Sequence, residues 1–322
     1  MTQSSIRYLV LFLTGRCNLR CRYCYASELA QHGAMPFNIA ADALNLAVSS
    51  NRSFHVQFTG GEPLLEPKLM TRICKLVREN DASHTMGVQT NGTLLNDEIA
   101  GMLQRYQIEV GLSIDGVAEI HNQQRGRFGA TINGLHVLAN HDIPCRITAV
   151  VTMENVMHLD KLALMLAGFP NVRGIGLDLL VNKGSAAVNQ VPHATPELMK
   201  KSAQALLAML DIVNSRRSNP LQVRELNKNR RSSPILCHAA KGESMAVLPD
   251  GSVYPCSQTA GDPDFNCGTI HNVNWKRLRM SAQGDDCPSR THYNQGTNQI
   301  LHAALKVEPR ETILKGIQND RF

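Results

Sequence analysis

Apolar positions along the chain switch repeatedly between two periods. Runs that are β-branched or nearly alternating occur at 8–13, 55–58, 86–89, 109–114, 146–152 and 174–180. Between and after them, apolar residues recur at helical spacing over 39–48, 69–78, 97–106, 132–140, 159–167 and 196–213. Strands alternating with helices of this length build βαβ units, and hence an α/β fold around a parallel sheet. Several runs stop at turn formers: Thr59-Gly60-Gly61, Thr90-Asn91-Gly92 and Asp115-Gly116. Singly, each is punctuation between elements. Together they mark the carboxyl ends of parallel strands, where such folds gather ligand groups. Residues 183–194, with Gly184 and Pro192, read as a loop. The basic stretch 216–231 reads as a linker with a solvated charged face.

Composition narrows the class. A length of 322 residues allows two domains, or one barrel carrying an appendage. With 43% hydrophobic residues there is enough apolar material for a large core. No run of 18 apolar residues appears, and the first ten residues are too polar for a secretory signal, so a cytoplasmic chain without a membrane span is expected. Aromatic content is 5% with the single Trp275, and the net charge of +6 is spread along the chain, so no nucleic-acid surface is expected.

The nine cysteines change the picture most. An odd number without an export signal argues for reduced thiols rather than a disulfide framework. Cys17, Cys21 and Cys24 form a C-x3-C-x2-C run just after the first strand; Cys237, Cys256, Cys267 and Cys287 form a looser group near the end. Structural zinc usually takes four ligands in separated pairs. Three thiolates from one loop instead suit a 4Fe–4S cluster with one iron left open for a ligand. Cys74 and Cys145 fall on apolar segments and read as buried, inert thiols.

The run Arg16-Cys17-Asn18-Leu19-Arg20-Cys21-Arg22-Tyr23-Cys24 resembles the signature of the radical S-adenosylmethionine (radical SAM) family. Thr59-Gly60-Gly61-Glu62-Pro63 is similar to the family's GGE segment, and Thr90-Asn91-Gly92 and Leu112-Ser113-Ile114-Asp115-Gly116 to its later strand ends. The resemblance implies a partial (β/α)6 barrel that binds SAM beside a 4Fe–4S cluster held by Cys17, Cys21 and Cys24. It assigns the methionyl amine to Thr59, Gly60, Gly61 and Glu62, with Asn91 and Asp115 at the next strand ends. Ser113 and Arg125 resemble the pair that holds the SAM carboxylate, an assignment that suits the guanidinium's fork. Tyr23 would shield the cluster, Val151 would lie along the adenosine and Gln57 would reach the ribose.

Cys237, thirteen residues, Gly251, four residues and Cys256 look like the opening of the family's SPASM/twitch auxiliary-cluster module. Asp250-Gly251 is a hairpin turn that explains the spacing, because the hairpin returns Cys256 towards Cys237. A full SPASM module continues with more cysteines; here only Cys267 and Cys287 follow, enough for one auxiliary 4Fe–4S cluster. Cys267 could alternatively be a free thiol that donates hydrogen to a product radical, and His292 is an outside candidate ligand. The expected organisation is a barrel over 1–215, a basic linker over 216–236 and a truncated auxiliary-cluster domain over 237–322.

The resemblance implies reductive cleavage of SAM to a 5′-deoxyadenosyl radical and hydrogen abstraction from a substrate C–H bond. Modification of a ribosomal peptide or protein (crosslink, thioether or epimerisation) is the first reading. Electrons would come from a flavodoxin- or ferredoxin-type donor. Sulfatase-maturing relatives carry Asp after the hairpin's second cysteine; Ser257 stands here, which argues against that activity. With the cysteine loop beginning at Cys17, leader recognition would fall to a separate protein or to the barrel mouth. The alternative is a twitch-type dehydrogenase or epimerase acting on an aminoglycoside or cyclitol; a non-catalytic metal-binding module comes third.

Overall fold

The computed structural model describes residues 5–49, 53–80, 84–224 and 238–280. Cys237, Cys287 and His292 lie outside these described residues.

Six parallel strands alternate with helices: β1 (Tyr8–Phe12), α1 (Phe37–Val48), β2 (His55–Thr59), α2 (Pro67–Asn80), β3 (Thr85–Thr90), α3 (Asp97–Arg105), β4 (Ile108–Ser113), α4 (Ala118–Gln124), α5 (Phe128–Asn140), β5 (Cys145–Val151), α6 (Leu159–Leu166) and β6 (Val172–Leu179). Then come α7 (Ser185–Val188), α8 (Pro196–Asn214) and the edge strand β7 (Gln222–Val223). The remainder contributes α9 (His238–Lys241), β8 (Ser244–Val247), β9 (Val253–Tyr254), β10 (Gly268–Thr269), β11 (Asn272–Val273) and α10 (Trp275–Leu278).

Local sequence accounts for the helices. In α2 the buried Met70, Ile73, Cys74 and Val77 fall on one face at i, i+3, i+4 and i+7. The Asn96 side chain caps α3 by accepting from the Ile99 N–H, and Thr195 does the same for α8 before Pro196. Strands β1 to β6 pair in sequence order, and their outward residues join helix residues in one continuous apolar core.

Two features differ from the sequence expectation. The stretch read as a solvated linker packs on the barrel as far as Arg224. β7 pairs with β6 through Gly174↔Gln222 and Ile175↔Val223, and Leu221 and Val223 are buried. The Arg217 guanidinium donates to the carbonyls of Leu166, Ala167, Phe169 and Val172, so it closes a helix end rather than facing water. The C-terminal hairpin, in turn, continues the barrel sheet. β8 lies parallel to β1, Tyr8↔Ser244 to Leu11↔Val247, and β9 folds back on β8. The nine-stranded sheet therefore runs β7-β6-β5-β4-β3-β2-β1-β8-β9. Loop 183–194 carries the short α7. Among the described residues, no helix is long and apolar enough to cross a membrane.

Candidate active site

A cavity of about 360 Å³ opens at the carboxyl ends of the strands, and Cys17, Cys21 and Cys24 share its wall. The loop that carries them is pinned to β2 through glycine. The Gly61 N–H donates to the Thr14 carbonyl (2.8 Å) and the Glu62 N–H to the Arg16 carbonyl (2.9 Å). A Cβ on Gly60 would stand 2.3 Å from the Thr14 oxygen, and one on Gly61 2.2 Å from the Arg16 oxygen. With φ of +146° at Gly60, only glycine permits this backbone-on-backbone approach.

Each thiol has its own donors. Cys17 Sγ accepts from the Leu19 N–H at 3.4 Å and lies 3.9 Å from Asn91 Nδ2. Cys21 meets the Arg125 guanidinium, and Cys24 takes the Ala26 N–H. Burial pushes all three thiols up, Cys24 to about 11, so a cation is needed to hold them as thiolates. Three soft donors sharing one wall beside N–H groups fit an iron–sulfur cluster. Among the described residues, no three His, Cys, Asp or Glu side chains close on one ion position.

Gln57, Thr59, Gly60, Gly61, Glu62, Asn91, Ser113, Tyr23 and Arg125 all line the same cavity. Two assigned residues do not. Val151 points into the apolar core and its neighbour Val150 faces the cavity, because successive strand residues alternate sides. Asp115 is 0% exposed and is shut off from the cavity. Its carboxylate accepts from Arg125 Nε (2.7 Å) and Nη2 (3.2 Å), from the Val150 N–H (3.0 Å) and from the Tyr23 hydroxyl. Asp115 thus reaches the cavity through Arg125 and Tyr23, whose ring lies 5.1 Å from the guanidinium carbon.

Glu62 is committed to the fold as well as to the cavity. It accepts from the Leu64 N–H (3.0 Å), Thr90 Oγ1 (2.7 Å) and the Asn91 N–H (2.8 Å), tying the end of β2 to the end of β3. Burial outweighs these donors and raises its carboxyl from 4.5 to about 7. The folded chain therefore binds a proton there that the unfolded chain releases. Stability from this group is present below about pH 4.5 and is lost as pH rises through 7, at a slope of at most about 1.4 kcal/mol per pH unit. Urea melts of the cluster-free chain between these pH values are expected to show that slope, and Glu62→Gln to flatten it.

Gln89, Thr148 and Gln258 line the cavity without a sequence signal. Gln89 Nε2 donates to Ser113 Oγ (2.9 Å), and Thr148 Oγ1 reaches Gln89 Oε1 (3.4 Å). Ser257 and Gln258, which follow the hairpin, also line the cavity, and Ser257 hydrogen-bonds Tyr25. Cys256 is half-buried, with Sγ 3.7 Å from Thr259 Oγ1. Cys267 sits elsewhere: its sulfur is in the apolar core and donates to the Phe265 carbonyl at 3.4 Å. It does not line the cavity, so it is not positioned to deliver hydrogen to a radical formed there. Cys74 and Cys145 are buried.

The structure is thus a parallel β/α barrel with a three-cysteine loop over its strand ends, a soft-donor site suited to a metal cluster. Residues 11–166 match the radical SAM superfamily model, and the chain belongs to that superfamily. It is 31% identical over 289 residues to an uncharacterized protein of Methanocaldococcus jannaschii, covering 87% of this chain and 94% of the relative. A cysteine-type anaerobic sulfatase-maturating enzyme of Clostridium perfringens is 28% identical over 286 residues, covering 81% and 76%. Among solved structures, native anSMEcpe with bound AdoMet and Cp18Cys peptide superposes with a TM-score of 0.69 at 22% identity, over 94% of this chain and 84% of that one. The chain is accordingly a radical SAM enzyme with the partial-barrel fold, and its family cofactors are SAM and a 4Fe–4S cluster.

Proposed function

We propose that this enzyme cleaves SAM reductively and uses the resulting radical to abstract hydrogen from a ribosomal peptide or a protein. The observation that carries the reading is the single cavity onto which the three-cysteine loop, the Gly60-Gly61-Glu62 edge and Arg125 all face. In this proposal Cys17, Cys21 and Cys24 would hold the SAM-binding cluster, which would supply the electron for reductive cleavage of SAM.

The chain's own residues bind and orient. The carbonyls and carboxylate at 60–62 receive an ammonium group, while Ser113 and Arg125 receive a carboxylate on the opposite wall. Asp115 takes two of the guanidinium's N–H groups and fixes the direction of the rest. Tyr23, buried against Arg125, closes the cluster side to water. Val150 and Thr148 line the β5 side, where the adenosine would lie. Ser257 on the cavity wall has no carboxylate to act as base, which separates this site from a sulfatase-maturing one.

A peptide substrate is supported by the sulfatase-maturating relative of Clostridium perfringens, which aligns over 81% of the chain. We assign one auxiliary cluster to Cys237, Cys256 and Cys287, with Cys267 as the fourth thiol although its sulfur is packed in the core. Iron analysis is expected to give about eight irons per chain, against about four if only the first cluster is present.

The test is anaerobic turnover of reconstituted protein with dithionite and SAM. Deoxyadenosine is expected to rise above background when a precursor peptide encoded beside the gene is added. Equal turnover with an aminocyclitol and none with any such peptide would replace this reading with the small-molecule one. No SAM cleavage at all would sink both.

A further inference from the structure

A second chamber, of about 660 Å³, occupies the barrel below the site just described, at the amino ends of the strands. Glycine hollows it out. A Cβ on Gly87 would stand 3.1 Å from Gln57 Oε1, and one on Gly111 2.3 Å from Gln89 Oε1. Inward side chains of one strand thus lie in space left by the next.

The two chambers share Tyr8, Gln57, Gln89, Thr148 and Arg224 in their walls. What separates them is a layer of side-chain hydrogen bonds: Tyr8 hydroxyl to Gln57 Oε1 (3.1 Å), and Gln89 to Ser113 and Thr148. These are bonds between side chains, which the amides of an entering chain can replace. β6, at eight residues, is about 25 Å long, and an extended hexapeptide spans about 20 Å. A small cyclitol would fill one chamber only.

The lower chamber carries charge of both signs. Glu109 stands on β4 and Asp142 on the turn before β5, while Arg146 and Arg173 open β5 and β6. Arg224 is already paired with Asp178 at 2.7 Å. A register irregularity between β5 and β6, at Cys145/Arg146, breaks the strand alternation beside Arg173. Arg173 lines this chamber, and its Nη1 is sealed from solvent without a hydrogen-bond partner among the described residues. Such a donor is costly to leave unmade, and turning the guanidinium into the chamber would offer it to an acceptor there. Arg146, exposed and without an ion pair among the described residues, reaches across Gly174 on the same wall.

We infer that the lower chamber is a specificity site for a substrate carboxylate, with Arg146 and Arg173 holding an acidic group of the polypeptide whose modified residue lies in the upper cavity. The inference rests on the peptide-modifying reading. A charge-assisted pair of this kind corresponds to roughly tenfold or more in affinity.

Calorimetry on the reconstituted full chain with SAM tests it, using an acetylated hexapeptide amide containing one Glu and its Gln counterpart. The Glu peptide is expected to bind at least about tenfold tighter. Arg146→Gln and Arg173→Gln should erase that preference while leaving peptide-independent SAM cleavage unchanged. Arg146 is exposed, so its variant keeps the test open if Arg173→Gln fails to fold. A Gln peptide with a free C-terminus that matches the Glu amide would assign the pair to a terminal carboxylate and still support the site. Equal binding of the two amides, or a preference that survives in the double variant, overturns it. Because binding is read directly, a wild type that cleaves SAM yet shows no preference defeats this inference alone. A wild type that cleaves no SAM defeats the functional reading instead.

Discussion

Cys21→Ser is expected to abolish SAM cleavage and to remove about four irons per chain from the reconstituted enzyme. Cys21 lies in the middle of the loop, half-buried, with its thiol against the Arg125 guanidinium. Serine is nearly isosteric, so the loop's backbone bonds, including Cys24 N–H to Cys21 carbonyl at 3.2 Å, stay in place. What changes is the donor: a hydroxyl is harder and far less acidic than a thiol, and a soft iron–sulfur centre selects against it. The cluster's visible absorption and the deoxyadenosine yield should fall together, with the melting temperature of the cluster-free chain little altered. Cys74→Ala is the control. That thiol is fully buried on α2, so its loss should cost stability through a cavity and leave the iron content intact. A Cys21→Ser enzyme with the full iron content and spectrum would refute the assignment of this loop.

The barrel was legible because its signals are local. Each strand is a short apolar run and each helix a periodic stripe, so the two periods alternate in plain view. The helix α4 was not legible, for a physical reason. Its buried residues are His121 and Gln124, which no hydrophobic stripe reveals. His121 is fully enclosed, its ring centroid 5.5 Å from that of Phe128 in an edge-on contact, and Gln124 bonds Thr152. β7 was missed for a related reason: two residues on a sheet edge owe their form to β6, not to their own sequence.

Within the site, motif residues were found and their partners were not. The cysteine loop, the glycine pair and Arg125 can be read as a pattern. That Gly60 and Gly61 also make room for the carbonyls of Thr14 and Arg16 is a long-range fact. The segment points to Val151 for the cavity, whereas strand parity gives that place to Val150. Cys267 gains its place among the four thiols from spacing alone; that its sulfur packs in the apolar core is a long-range fact that spacing does not carry.

Asp115→Asn is expected to lower stability by about 3–5 kcal/mol and to weaken SAM binding at the same time. The wild-type carboxylate is fully buried and accepts from Arg125 twice, from Tyr23 and from the Val150 N–H. These donors come from the cysteine loop, from the residue after α4 and from β5, so one side chain fixes three segments around the cavity. Asparagine has a single acceptor oxygen, and its amide nitrogen must then point at one set of donors. The Arg125 guanidinium would stay buried without its counter-charge, which is the costly arrangement. Urea denaturation measures the first effect and equilibrium binding of SAM to the reconstituted chain the second. A second variant separates them. Replacing the pair together, Asp115→Leu with Arg125→Met, removes both charges and should recover much of the lost stability, because no unpaired ion remains. It should not recover SAM binding, since the guanidinium that faces the cavity is gone. If Asp115→Asn melts like the wild type, the carboxylate does not hold the loop. If the double variant regains affinity, Arg125 does not touch the ligand.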